Sequence, residues 1–241
     1  MNIEELIETF KPTGIIKNTA NKISVIIPSY NQASYLPDAI ESVLTQKVAP
    51  HEIIVVDDGS TDGSLEIARK YAVKVIVQVN KGLPSARNTG IMNATGDYIL
   101  PLDADDMLKE NCIERLTQII KETDGDIIAP SFKCFGIENR EIILDPRITV
   151  KDFVTGNRIG YFSAIRRTKL LECGGYSPRM TWGYEDYHLW FDLMSRGIKM
   201  VILSDVLVMY RTKTESMLAE ANKHQEELMA QIQKDFPFYF I

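Results

Sequence analysis

Residues 97–106 read Asp97-Tyr98-Ile99-Leu100-Pro101-Leu102-Asp103-Ala104-Asp105-Asp106. A short apolar run ends in three carboxylates. The run predicts a buried strand, which places the carboxylates at a strand tip. Burial and mutual repulsion raise carboxylate pKa values there unless a cation meets them. A divalent ion does so, and hard oxygen ligands suit Mg²⁺ or Mn²⁺. Mg²⁺ usually takes one or two carboxylates and shares its other positions with water and substrate phosphates. The cluster therefore suggests a bound metal–diphosphate. The plainer reading is a solvated acidic turn before a helix, where Asp is a good N-cap.

Outward from this stretch the chain has a regular rhythm. Ile23-Ser24-Val25-Ile26-Ile27-Pro28, Glu52-Ile53-Ile54-Val55-Val56-Asp57 and Lys74-Val75-Ile76-Val77-Gln78-Val79 read as strands. Helices are predicted between them: Ser34–Gln46, with Leu36, Ile40, Val43 and Leu44 on one face; Asp62–Tyr71; and Pro84–Asn93. The Asp97 strand and a helix carrying Ile113, Leu116, Ile119 and Ile120 follow. This β-α-β-α order predicts an α/β fold with a mostly parallel central sheet and helices on both faces. After about Gly125 the rhythm breaks. Strands are expected at 126–130, 141–144, 161–165, 201–203 and 206–208, a helix at 186–195, and a polar helical stretch at 216–235. That part reads as a smaller, mixed portion of the sheet.

Ligands of such sheets bind at the carboxyl ends of the strands. Here those ends are Pro28-Ser29-Tyr30-Asn31, Asp57-Asp58-Gly59-Ser60 and Asp103-Ala104-Asp105-Asp106. Each could be an ordinary turn, but three polar ends converging on one edge look like a site.

Composition narrows the function classes. The chain has 241 residues, 45% hydrophobic, with a formal net charge of -6. There is no basic surplus for nucleic acid. Cys112, Cys134 and Cys173 are scattered, with no CxxC pair, which fits reduced core thiols and a cytoplasmic setting. The N-terminus reads as neither a signal peptide nor a membrane span. The apolar tail Phe236-Pro237-Phe238-Tyr239-Phe240-Ile241 is expected to pack on the body or on a partner. Peripheral contact with the inner face of the membrane, or self-association through this tail, stays open.

Five motifs in order carry a resemblance: Ser24-Val25-Ile26-Ile27-Pro28-Ser29-Tyr30-Asn31; Val55-Val56-Asp57-Asp58-Gly59-Ser60-Thr61-Asp62; Asn80-Lys81-Gly82 with Ala86-Arg87-Asn88; the Asp103–Asp106 cluster; and Gly174-Gly175-Tyr176 with Trp182-Gly183-Tyr184-Glu185-Asp186. Together they resemble the family 2 glycosyltransferases of GT-A fold, over roughly residues 22–217. The resemblance implies inverting transfer of a sugar from a nucleotide diphosphate donor, usually a UDP-sugar, to an acceptor hydroxyl, with Mn²⁺ or Mg²⁺. The QxxRW element and membrane helices of the processive relatives do not occur in the sequence, so non-processive transfer, one sugar per encounter, is expected. It places Pro28, Tyr30 and Asp58 at the nucleobase and Arg87 near ribose and diphosphate. Asp103 and Asp105 match the family's DxD metal element, Asp105 as the better metal ligand and Asp103 nearer the ribose or a metal-bound water. Asp186, with Glu185 beside it, matches the base that deprotonates the acceptor. Without the resemblance, Glu185-Asp186 reads rather as a helix cap that complements the dipole than as a catalytic pair.

The chemistry needs such groups. Transfer develops negative charge on the departing diphosphate, which a metal stabilises, and the acceptor hydroxyl must lose a proton to a carboxylate or His. One departure stands out: Lys213 lies where many relatives carry a His, and an ammonium can pair with phosphate but cannot ligate a metal. Trp182, Trp190 and Tyr184 fit an acceptor pocket or the core; His51, His188 and His224 show no ligand pattern.

The resulting organisation is an N-terminal arm (1–21), a GT-A catalytic domain (22–215) with a nucleotide-sugar half (22–106) and an acceptor half (107–215), and a C-terminal helix and tail (216–241). The expected partners are a UDP-sugar and a glycan or lipid-linked acceptor, in bacterial surface polysaccharide or lipopolysaccharide synthesis. The alternatives are a non-catalytic nucleotide-sugar-binding protein and a sugar-nucleotide pyrophosphorylase. The second would need a Gly-rich basic loop where Ile27-Pro28-Ser29-Tyr30-Asn31 stands.

Overall fold

The computed structural model describes residues 21–214 and 217–240. The N-terminal arm expected over 1–21 thus lies almost entirely outside the described residues. β1 (Ile23–Ser29) is buried along its whole length. Its alternate side chains feed two cores. Ile23, Val25 and Ile27 join one cluster and Ile26 the other, as the period of two in a strand requires. β2 (Glu52–Asp57), β3 (Lys74–Val77) and β4 (Tyr98–Pro101) complete a parallel half with the order β3-β2-β1-β4. The helices of this half are α1 (Leu36–Leu44), α2 (Ser64–Ala68) and α3 (Leu83–Asn93). Leu36, Ala39, Ile40 and Val43 of α1 pack on one face of the sheet, and Ala86 and Ile91 of α3 on the other. Strands covered on both faces read as continuous apolar runs, which is why β1, β2 and β4 were legible.

The mixed half contains β5 (Met107–Leu108), α4 (Cys112–Thr123), β6 (Ile127–Gly136), β7 (Arg140–Ile142), β8 (Ala164–Arg166), α5 (Arg167–Cys173), α6 (Glu185–Ser195) and β9 (Met200–Thr212). β8 pairs antiparallel with both β4 and β6, and joins the halves. β9 runs parallel to β6 and antiparallel to β5.

Here the sequence reading needs correction. The two strands expected at 201–203 and 206–208 are one strand of 13 residues. Its register against β6 jumps from Leu203↔Pro130 to Val206↔Ser131. A bulge at Ser204-Asp205 therefore absorbs the polar pair that looks like a turn. The strand ends firmly. Thr212 accepts from Ile137 N–H, and its hydroxyl donates to the Phe135 carbonyl at 2.9 Å. The segment 150–155, with no expected structure, is a 3₁₀ helix opened by a Thr149/Asp152 capping box.

The polar helical stretch at 216–235 is two helices, α7 (Met217–Lys223) and α8 (Gln225–Asp235), interrupted at His224. α8 buries Leu228 and Ile232 in the cluster that holds Trp190 and Phe191 of α6. Phe236, Tyr239 and Phe240 pack around Phe191, as expected for a tail that packs on the body, while Phe238 is 87% exposed. Among the described residues, no helix is long and apolar enough to cross a membrane.

Candidate active site

The carboxyl ends of β1, β2 and β4 open onto one cavity of about 370 Å³. Pro28, Tyr30, Asp58, Asp103, Asp105 and Lys213 all line it. The loops after β1 and β2 are tied together. The Asn31 amide donates to Ser60 Oγ, the Thr61 amide to Asn31 Oδ1, and the Ala33 amide to Asp62 Oδ2. Pro28 is buried and Tyr30 is 47% exposed, so Tyr30 presents a free ring face at the rim. Asp58 is buried and already engaged. Its Oδ1 accepts from Gln78 Nε2 at 2.7 Å and from the Lys81 amide at 2.9 Å, and its Oδ2 from the Gly82 amide at 2.8 Å. A carboxylate has about four acceptor positions, so Asp58 can take one more donor while it fixes the loop that leads into α3.

The carboxylates of the β4 tip each meet a different counter-group. Asp103 Oδ1 lies 2.7 Å from Arg87 Nη2. Burial pushes the Asp103 carboxyl up to about 6 even though Arg87 pulls it down. Asp106 is buried, accepts from the Arg211 amide at 2.6 Å and from the Tyr161 hydroxyl, and is held well above the usual carboxylate range by burial and by Asp105. The same Tyr161 oxygen accepts from the Asp103 amide at 3.0 Å. Asp105 Oδ2 lies 2.5 Å from Lys213 Nζ.

These groups fit a divalent ion. Asp103 and Asp105 supply hard oxygens on the cavity wall, and Mg²⁺ or Mn²⁺ needs only one or two from protein when phosphates supply the rest. Among the described residues, no group of three His, Cys, Asp or Glu side chains forms a cage for an ion.

A second cavity, of about 630 Å³, adjoins the first. Leu83, Asp103 and Tyr210 belong to both walls. Glu185 and Asp186, at the start of α6, line the second. The residue before them, Tyr184, sits at φ 59°, in the left-handed region that costs a bulky side chain of order 1 kcal/mol or more. That turn sets the pair on the wall of the larger cavity. Glu185 is buried, with its Oε1 2.5 Å from Arg87 Nη1. Asp186 accepts from Asn157 Nδ2 at 2.9 Å and from the Tyr187 amide at 2.7 Å. Burial and then the neighbouring Glu185 raise the Asp186 carboxyl to about 7. Arg87 is thus fully buried between Asp103 and Glu185, with its guanidinium 4.8 Å from the Tyr161 ring and 5.1 Å from that of Tyr176.

Pro28, Tyr30, Asp58, Arg87, Asp103, Asp105, Glu185, Asp186 and Lys213 all fall on these two cavities. Tyr184 joins them on the wall of the larger one. Trp182 does not; it is half exposed and stacks on His224 at 4.4 Å. Trp190 is wholly buried in the core. His188 is buried and pairs with Asp235 on α8 at 3.0 Å. Sequence reasoning missed Tyr161, Asn157, Tyr35 and Arg211, which hold the carboxylates or pack beneath Lys213. Nothing local marks them, since their roles come from strands and loops far away in the chain.

Comparison with known proteins agrees with this arrangement. Glycosyl transferase family 2 matches residues 24–188. The glycosyltransferase EpsE of Bacillus subtilis (strain 168) is 32% identical over 215 residues, covering 83% of this chain and 75% of that protein. The glycosyltransferase GlyG of Streptococcus pneumoniae is 44% identical over 116 residues, covering 46% of this chain and 38% of its own length. The chain thus matches well under half of GlyG. The crystal structure of S. aureus TarS 1-349 in complex with UDP-GlcNAc has a TM-score of 0.74 at 22% identity, covering 88% of this chain and 65% of that one, and shows the same GT-A fold. With the family matched across both cavities, from β1 to the start of α6, the chain belongs to glycosyl transferase family 2.

Proposed function

We propose that the protein transfers a sugar from a nucleotide diphosphate donor to an acceptor hydroxyl, with inversion at the anomeric carbon. The observation that carries this reading is the shared wall. A nucleotide-sized cavity and a larger cavity holding a carboxylate pair meet at Asp103. A donor in the first cavity presents its sugar at that junction, and an acceptor in the second approaches from the far side.

In this reading Tyr30 and Pro28 pack against the base, and Asp58 accepts from a base N–H. Lys213 faces the diphosphate. Asp103 and Asp105 would hold Mn²⁺ or Mg²⁺, which when bound neutralises charge on the leaving diphosphate. Arg87 fixes Asp103 and Glu185 in one rigid unit. Asp186 takes the proton of the acceptor hydroxyl. Its carboxyl, raised toward neutrality, is a stronger base than an ordinary Asp and matches the working pH better. UDP-GlcNAc, present in the TarS complex, is the first donor to try. The acceptor we propose is a glycan or lipid-linked saccharide of bacterial surface polysaccharide or lipopolysaccharide synthesis, the setting the family implies.

A panel of nucleotide sugars with and without Mn²⁺, read by thermal shift and by release of nucleoside diphosphate, tests this. A donor at about 100 times its dissociation constant should add about 2.7 kcal/mol of stability. No stabilisation by any nucleotide sugar would refute a donor site. Binding without turnover for every acceptor tried would favour a non-catalytic nucleotide-sugar-binding protein.

A further inference from the structure

Each carboxylate of the Asp103–Asp106 cluster has a counter-group from this chain, and the three differ in kind. Arg87, which meets Asp103, is fully buried and also held by Glu185. The groups that meet Asp106 are a backbone amide and the Tyr161 hydroxyl. Lys213, which meets Asp105, is a flexible ammonium on the wall of the donor cavity, with its side chain 24% exposed. Its Nζ lies 4.8 Å from the centre of the Tyr35 ring, a cation–π shelf beside the carboxylate. Arg211, two positions earlier, turns away to the Asp105 carbonyl and to Asp38. It therefore does not compete for the Asp105 carboxylate.

We propose that Lys213 is a resident counter-cation for Asp105. Its ammonium excludes free divalent metal from the carboxylate, and it swings to the diphosphate only when metal and nucleotide enter together. The proposal rests on the donor reading of the smaller cavity. An ammonium cannot ligate a metal, so Lys213 and the ion cannot share Asp105 at contact without mutual repulsion. A diphosphate resolves the conflict, because its negative charges give both cations a partner. Lysine suits this exchange better than arginine, being a compact charge on a mobile stem rather than a planar fork. Metal and nucleotide are then thermodynamically linked, each raising the affinity for the other by the same factor.

The test is titration of Mn²⁺, followed by the electron paramagnetic resonance of the free ion, on wild-type protein and on Lys213→Met, Lys213→Arg and Asp105→Asn. Each is measured without nucleotide and with UDP. Without nucleotide, Lys213→Met should bind Mn²⁺ at least about fivefold more tightly than wild type, the effect of one unit charge at about 4 Å even in water. Lys213→Arg should stay as weak as wild type, and Asp105→Asn should bind least. With UDP the gap between wild type and Lys213→Met should shrink, UDP raising the Mn²⁺ affinity of wild type by the larger factor. Equal Mn²⁺ affinity of wild type and Lys213→Met without nucleotide would overturn the proposal. So would wild-type Mn²⁺ binding that UDP leaves unchanged while UDP itself binds. If wild type bound no nucleoside diphosphate at all, the donor reading would fail, and the nucleotide-free comparison would still decide whether Lys213 guards Asp105.

Discussion

Arg87 and Glu185 are ion-paired at 2.5 Å although 98 positions separate them in the chain. The same guanidinium holds Asp103. Asp103 and Glu185 are therefore one electrostatic object, built around a cation that solvent does not reach. Breaking a buried pair by removing one partner strands a charge and typically costs about 3–5 kcal/mol. Arg87→Ala should lose stability of that order in urea denaturation. Arg87→Lys should recover only part of it, because one ammonium cannot reproduce the fork. A loss below about 1 kcal/mol in Arg87→Ala would show that the bridge is not formed in solution.

Asp186→Asn keeps the shape of the side chain but cannot take a proton. Turnover should fall by about 10²–10⁴-fold, with the dissociation constant for donor nearly unchanged. If Glu185→Gln loses turnover while Asp186→Asn does not, Glu185 is the base.

The pH profile follows from the same carboxyl. A general base works deprotonated, and burial raises Asp186 to about 7. The wild-type rate should therefore rise with pH through about 7 rather than through the ordinary Asp range near 4. Asn157 donates to the ionised form and so holds the value down. Asn157→Ala should move the rising limb to higher pH. A limb that stays in place would mean that the Asn157 contact carries no weight in solution.

Asp106 separates burial from charge. Its carboxyl is pushed well above the usual range, so a neutral replacement should be tolerated. Asp106→Asn keeps an acceptor for the Arg211 amide. Asp106→Ala leaves that amide and the Tyr161 hydroxyl without their acceptor, at a cost of roughly 1–3 kcal/mol. Thermal denaturation of the two variants should separate them by that margin, and identical midpoints would contradict the network.

Asp58 holds three donors of its own chain, and on the proposed reading it takes one more from the nucleobase. Asp58→Ala should destabilise the nucleotide-free protein, since three donors of the Gln78–Gly82 loop lose their acceptor. It should also weaken UDP by roughly 1.5–3 kcal/mol, and UDP more than GDP. A stability loss with equal effects on both nucleotides would leave Asp58 as a loop anchor alone.

The parallel half was legible because β1, β2 and β4 are buried on both faces and their apolar runs have no competing pattern. The strand tips carried the site for the same reason: Asp58 and Asp103 interrupt those runs with charge. The second half was less legible. In β9 a bulge lets Ser204-Asp205 pass through a continuous strand, and no local rule tells a polar pair in a bulge from one in a turn. Gly175 shows both what a motif announces and what it hides. At φ 78° a Cβ would stand 2.3 Å from Asn88 Oδ1, and that oxygen accepts from the Tyr176 amide at 2.8 Å. The glycine was visible in the sequence, but its partner, 87 positions earlier, became visible only once the chain was folded.

The anchoring of Thr212 has a kinetic consequence for its neighbour. Bonds to both Phe135 and Ile137 clamp that residue to the end of β6, so the backbone entering Lys213 has little freedom to travel. Any movement of the ammonium is left to rotation about the side-chain bonds, on the picosecond-to-nanosecond scale of exposed rotamers rather than the microsecond-to-millisecond scale of moving loops. A stopped-flow record of nucleotide arrival should therefore show a single concentration-dependent phase, with no slow first-order step from relocation of the charge.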